Sequence, residues 1–164
     1  MRAKKSLAIK MKQAINLTTD QIRLISLFQK ITKTTARDCL DDEKQDKIIF
    51  VVNEGKMGLA IGKGGSNIKT LQNILKRHVE LVEYFADPIK FLTNVLNPKL
   101  INEVKLDTKQ DGSSQATVVV DQGKKGLVVG REGRNAEKAR LFAKRYFDIS
   151  NVQISSPTVT QLEM

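Results

Sequence analysis

The 164-residue sequence predicts an α+β fold built twice, each copy a three-stranded sheet covered by three helices in the order α-β-β-α-α-β. Three observations carry this expectation. The segment Val51–Asn67 reappears as Val119–Asn135, an offset of 68 residues at which a Val pair, four glycines, a Lys, a Leu and an Asn coincide. Helix-type and strand-type apolar patterns occur in the same order around both segments. The spacing is too long for a solenoid repeat and suits a tandem pair of very small domains.

The first copy opens with Thr18 and, three residues on, Gln21, the spacing of a capping box. Ile22, Leu24, Ile25, Leu27, Phe28 and Ile31 then fall on one broad helical face. A short strand is expected at Asp38–Asp41 and a better one, rich in β-branched residues, at Lys47–Asn53. A glycine-punctuated stretch follows, then a helix carrying Ile68, Leu71, Ile74 and Leu75, and a last strand at Val79–Tyr84.

In the second copy Asp87 is the expected N-cap, with Pro88 at the first helical position. Ile89, Leu92, Val95 and Leu96 continue that helix until Asn97-Pro98 stops it. Strands are expected at Glu103–Asp107 and Ala116–Asp121, a helix carrying Ala136, Ala139, Phe142 and Ala143 after the second glycine stretch, and a final strand at Asn151–Ile154. The resulting division is a basic arm at 1–17, domains at 18–86 and 87–155, and a tail at 156–164.

Composition narrows the function. The formal net charge is +10, with 28 Lys and Arg against 18 Asp and Glu. Positive charge argues for a polyanionic partner only where it clusters. Residues 1–19 hold five basic and no acidic side chains, residues 55–77 the same, and residues 123–145 eight basic against Glu132 and Glu137. Two of these windows are the repeated loop and helix. The longest apolar run, Ile48–Val52, is far short of the roughly 20 residues of a membrane helix, and Lys10, Lys12 and Gln13 break what a secretion signal would need. One Cys39 and one His78 make neither a disulfide nor a four-ligand zinc site. A reduced, cytoplasmic, monomeric protein without metal or cofactor is expected.

The shared centre is Gly62-Lys63-Gly64-Gly65 and Gly130-Arg131-Glu132-Gly133, each between a short apolar helix and a longer basic one. Glycines let the chain turn sharply and a phosphate backbone approach, while the next helix offers unpaired N–H groups and its positive dipole end. Leu59 and Ile61, or Leu127 and Val129, are placed to line a groove for bases beside the loop. The second loop puts Glu132 where the first has Gly64, so the first is expected to grip more strongly, with Arg131 offsetting the carboxylate.

Ile61-Gly62-Lys63-Gly64-Gly65 and Val129-Gly130-Arg131-Glu132-Gly133, in this helix–loop–helix setting, resemble the Gly-x-x-Gly signature of KH domains. The element order is similar to the type II, prokaryotic variety of that fold. Two such copies in tandem, joined through Val82-Glu83-Tyr84 and Asp87-Pro88-Ile89-Lys90-Phe91, with Leu141–Phe147 near the end, resemble the KH region of the NusA family, and most closely its short archaeal members. The resemblance covers residues 18–155. It implies a clamp on about four nucleotides of single-stranded RNA at each loop. The RNA-binding residues would be Gly62, Lys63, Gly64, Gly65, Gly130, Arg131, Glu132 and Gly133. It further implies a role in transcription elongation or termination, with RNA polymerase as a second partner. Bacterial members also carry a polymerase-binding domain and an S1 domain, for which 164 residues leave no room.

Two rivals stand beside this reading. One is a KH protein that binds ribosomal RNA in ribosome assembly or translation. The other is a nucleotide-hydrolysing enzyme, but the Gly58–Gly64 stretch has a glycine gap of three and Gly64 in place of the P-loop Ser or Thr, and no Gly-x-Gly-x-x-Gly pattern occurs. Catalysis is not expected. Asn67 and Asn135 read as local supports of the following helix. Lys69, Lys138 and Arg140 fit a solvated face as well as an RNA contact. His78 reads as a helix-end residue and Cys39 as a core residue. Asp41-Asp42-Glu43 with Asp46 reads as a hairpin turn neutralised by Lys44 and Lys47. The arm Arg2–Lys12 fits an RNA or polymerase contact or a frayed tail.

Overall fold

The computed structural model describes residues 16–157. The basic arm Arg2–Lys12 and most of the expected tail lie outside the described residues. The described chain forms two compact units that meet in sequence between Phe85 and Ala86.

The first unit runs α1 (Thr19–Thr32), β1 (Ala36–Asp42), β2 (Lys47–Val52), α2 (Met57–Ile61), α3 (Ser66–Leu75) and β3 (His78–Glu83). Its sheet has the order β1-β2-β3, antiparallel between β1 and β2 and parallel between β2 and β3. The capping box is formed: Thr18 Oγ1 accepts from the Gln21 amide at 3.2 Å, and Gln21 Oε1 accepts from the Thr18 amide at 2.9 Å. Gln21 Nε2 also donates to the Cys39 carbonyl at 2.8 Å, which ties the start of α1 to β1.

The core packs Phe28 on Phe50, ring centroids 4.6 Å apart, with Ala36, Cys39, Ile48, Val52, Ala60, Leu71 and Val79 around them. Ile49 and Val51 point to the opposite face of β2 and are buried too. The unbroken run Ile48–Val52 is therefore a strand covered on both faces, which alternation would not allow. Two residues assigned to apolar helix faces by periodicity are not core residues: Ile22 is 52% and Ile74 51% exposed.

The second unit runs α4 (Pro88–Val95), β4 (Glu103–Thr108), β5 (Ser114–Val119), α5 (Lys125–Val129), α6 (Arg134–Phe147) and β6 (Ile149–Ser155), with sheet order β4-β5-β6 and the same strand directions. Asp87 caps α4 by accepting the Ile89 amide at 2.9 Å, with Pro88 inside the first turn. Strand β5 alternates buried Ala116 and Val118 with half-buried Gln115 and Thr117. Gln115 pairs across the outer face with Gln153 at 3.0 Å. Phe91, rather than the exposed Ile89, anchors α4: its ring lies 5.5–5.7 Å from those of Phe142, Tyr146 and Phe147.

The β1–β2 hairpin is neutralised differently from the sequence expectation. Arg77 reaches across from the end of α3, with Nη2 2.6 Å from Asp41 Oδ1 and Nε 3.1 Å from Asp46 Oδ1. Its Nη2 also donates to the carbonyls of Asp42 and Lys47. The hydrogen bond to Asp41 raises the Arg77 pKa further, so the guanidinium is a fixed cation of the hairpin. Lys47 pairs instead with Glu80 at 3.6 Å. Arg77 thus leaves the set of cations free to meet a polyanion. His78, assigned to a helix end, starts β3, and its amide donates to the Asp46 carbonyl at 3.2 Å.

Cys39 is fully buried, and that burial, with Asp38 and Asp41 adding repulsion, pushes its thiol pKa up to about 12. The thiol stays protonated throughout the neutral range. Because the folded value lies above the unfolded value of 9.0, this term is constant below pH 9 and removes stability as pH rises from 9 toward 12. At pH 8 the native protein is expected to resist alkylation by iodoacetamide for hours, whereas urea-unfolded protein reacts fully; mass spectrometry of the two samples checks it.

Candidate nucleic-acid interface

Each glycine loop forms a single tight turn between its two helices, and the two loops have nearly the same backbone. Gly62 lies at φ 77°, ψ 168° and Gly130 at φ 82°, ψ 169°. This region is essentially closed to any residue with a Cβ. Gly64 (φ 63°, ψ 22°) and Glu132 (φ 58°, ψ 25°) are left-handed, as are Gly65 (φ 75°, ψ 18°) and Gly133 (φ 74°, ψ 14°). A left-handed residue admits a side chain at a cost of about 1–2 kcal/mol. The third loop position therefore tolerates Glu where the first tolerates only glycine.

The bare Cα of the first glycine also makes room for an asparagine. A Cβ on Gly62 would sit 2.8 Å from Asn67 Cγ, and one on Gly130 2.7 Å from Asn135 Cγ. Through that gap Asn67 Nδ2 donates to the Leu59 carbonyl at 3.1 Å, and Asn135 Nδ2 approaches the Leu127 carbonyl at a longer 3.5 Å. The asparagines are local supports, but they tie the preceding helix to the following one rather than steadying a first turn. Backbone bonds close each loop: the Gly65 amide to the Gly62 carbonyl and the Gly133 amide to the Gly130 carbonyl, both at 3.1 Å. A loop held this way loses little entropy when a ligand binds.

Helices α1 and α4 begin under side-chain caps from Thr18 and Asp87. Helices α3 and α6 begin at Gly65 and Gly133, and no side chain caps either. The first-turn amides of a helix lack intrahelical acceptors and sit at its positive dipole end. Of these, the Ser66 amide donates to the Lys63 carbonyl and the Arg134 amide to the Arg131 carbonyl across the turn. Lys63 and Arg131 stand exposed in the loops, with Lys56, Lys124 and Lys125 exposed on their approaches.

The most exposed large apolar side chains among the described residues are Leu59, at 60%, and Leu127, at 65%. They occupy matching places on α2 and α5, one turn before the loop, with half-buried Ile61 and Val129 beside them. The aromatic side chains are all buried or half-buried, so none stands free for stacking on bases. Recognition by aromatic platforms is thereby disfavoured relative to a backbone clamp next to an aliphatic surface.

Two side chains act differently from the sequence expectation, and a third has a role that the sequence did not suggest. Glu132 is offset by Arg134, not Arg131: Arg134 Nη2 donates to Glu132 Oε2 at 3.1 Å. Arg140 Nε donates to the Val152 carbonyl at 3.1 Å, joining α6 to β6, so it is a structural contact. Glu83 Oε2 accepts the Gly55 amide at 2.9 Å and so fixes the turn that leads into α2, a role that no spacing in the sequence betrays. Among the described residues no group of three His, Cys, Asp or Glu is placed to hold a metal ion, and no helix is long and apolar enough to cross a membrane.

A three-stranded mixed sheet faced by helices, with a Gly-x-x-Gly turn between the second and third of them, defines a KH-type protein. A family model described as the KH domain matches residues 22–100. The chain is 36% identical over 141 residues to the "Probable transcription termination protein NusA" of Halobacterium salinarum, spanning 86% of this chain and 99% of the relative. It is 34% identical over 142 residues to the protein of the same name from Methanocaldococcus jannaschii, spanning 85% and 75% of the two chains. The crystal structure of a protein designated APE1850 superposes with a TM-score of 0.75 at 35% identity, covering 85% of this chain and 100% of that one. The chain belongs to the family of archaeal NusA-like proteins.

Proposed function

We propose that the protein is a single-stranded RNA-binding transcription factor that grips RNA through its two Gly-x-x-Gly loops, acting in transcription elongation or termination. The observation that carries this reading is the pair of matched loops, each with the same glycine geometry, a cation, an uncapped helix start and an exposed leucine. Phosphates dock against the Gly64 amide and the positive end of α3 in one loop, and against the Glu132 amide and the positive end of α6 in the other. Lys63 and Arg131 add charge. Bases lie over Leu59 with Ile61, or Leu127 with Val129.

On this reading residues 18–86 and 87–155 are two tandem KH domains. Two weak clamps in one chain act at high effective concentration on a continuous strand, so together they hold a stretch longer than either site alone. The relatives' names favour transcription over ribosome assembly, and nascent RNA near RNA polymerase is the natural target.

The interaction is electrostatic at its base, so affinity for a single-stranded RNA should fall linearly in log–log form with salt, with a slope of about −0.7 for each phosphate neutralised. Fluorescence titration across a salt series measures it. A slope near zero would contradict the phosphate-clamp reading.

A further inference from the structure

The two loops differ chiefly in what their side chains do. Where the first loop has Gly64 and Ser66, the second has Glu132 and Arg134, joined by the 3.1 Å ion pair. Glu132 holds a left-handed conformation that glycine adopts without cost at the equivalent place in the first loop. A carboxylate at the phosphate-docking turn, kept against a local conformational cost and engaging the nearest guanidinium, points to a role in the site. The carboxylate is 70% exposed and the Arg134 side chain 36%, so both are open to solvent at the turn.

We propose that Glu132 is an affinity-setting residue of the second loop, which sequesters Arg134 and must surrender it before Arg134 can contact an RNA phosphate. This rests on the RNA-clamp reading above. A phosphate at the second loop meets a carboxylate and a cation already engaged, so binding there requires an exchange of partners. A diffuse polyanion gains little from that exchange, whereas a phosphate seated on the loop amides gains Arg134 as well. The repulsive element raises discrimination at the expense of affinity. The first loop has no such competitor and binds without exchange.

The test is titration of full-length variants with a labelled oligouridylate of about twelve nucleotides, long enough for both clamps. Glu132→Gln keeps the shape of the side chain and frees Arg134. It is expected to bind about threefold tighter than the parent, in keeping with the modest strength of an exposed ion pair. Asp107→Asn, which removes the same charge from an exposed position on β4, is the control and is expected to change affinity by less than about 1.5-fold. In Glu132→Gln/Arg134→Gln the gain should vanish, because the freed guanidinium is its source. If Glu132→Gln gains no more than Asp107→Asn, or keeps its gain without Arg134, the inference is overturned. An Arg131→Asp arm separates the two levels. Weaker binding by Arg131→Asp with no gain from Glu132→Gln sinks the inference alone, and parental binding by Arg131→Asp sinks the clamp at this loop.

Discussion

Gly62→Ala is expected to break the first loop, although alanine adds a single methyl group. The new Cβ would lie 2.8 Å from Asn67 Cγ, Asn67 Nδ2 and Ser66 Oγ, closer than real contacts allow. The backbone at φ 77°, ψ 168° is itself closed to alanine, at about 1–3 kcal/mol. Relief requires Asn67 to swing away, which forfeits its bond to the Leu59 carbonyl, worth about 1 kcal/mol. The combined local loss is about 2–4 kcal/mol. Gly64→Ala is the matched comparison: its Cβ meets nothing within 4 Å, and its left-handed backbone costs about 1–2 kcal/mol. Amide hydrogen exchange at Gly65, whose N–H bonds the Gly62 carbonyl, should accelerate strongly in Gly62→Ala and little in Gly64→Ala. RNA affinity should fall about tenfold in the first variant and by less than about threefold in the second. Equal behaviour of the two would show that the loop is not held as described.

The largest loss of stability is expected from Phe28→Ala. Phe28 is fully buried and stacks on Phe50 at 4.6 Å in a core built from few large side chains. Truncation removes the stacking partner and leaves a cavity that the smaller side chains around it cannot fill, at about 3–5 kcal/mol. A unit of this size has a total stability of the same order. Urea denaturation should therefore show the first unit largely unfolded near 37 °C. Ile22→Ala, on the same helix but 52% exposed, should cost less than about 1 kcal/mol. Periodicity puts Ile22 and Phe28 on one broad face, so the pair separates a pattern argument from a packing one.

The contrast shows where sequence reasoning reaches. The element order, both N-caps and the duplicated loop follow from local rules: Thr18 with Gln21, Asp87 with Pro88, and glycines at fixed offsets each act within a few residues. Strand positions were legible from β-branched runs, but their ends shifted because pairing sets them. β1 extends to Ala36 opposite Val52, and β6 begins at Ile149. What was not legible depended on distant partners. Arg77 crosses some thirty residues to neutralise Asp46, while nearer lysines are engaged elsewhere or left in solvent. Phe91 becomes the anchor of α4 because Phe142 and Tyr146 on α6 meet it.

At the loops, motif spacing located both turns and the carboxylate anomaly. It could not show that Glu132 turns toward Arg134, two residues on, instead of its immediate neighbour. Nor could it show that the bare Cα of Gly62 admits the side chain of Asn67. Both depend on backbone angles, which a residue pattern constrains only loosely.

The central claim is that the two loops grip RNA, and loop-directed charge reversal tests it most directly. Lys63→Asp/Gly64→Asp and Arg131→Asp/Glu132→Asp place carboxylates at the docking turn. Aspartate is among the residues that best accept a left-handed backbone, and a Cβ at Gly64 meets nothing within 4 Å, so the first variant should fold. Titrated with single-stranded RNA beside the parent, each is expected to lose about tenfold or more in affinity, the worth of one charged phosphate contact, with the first loop losing more than the second. Both variants folded by circular dichroism and binding RNA as the parent does would contradict the account.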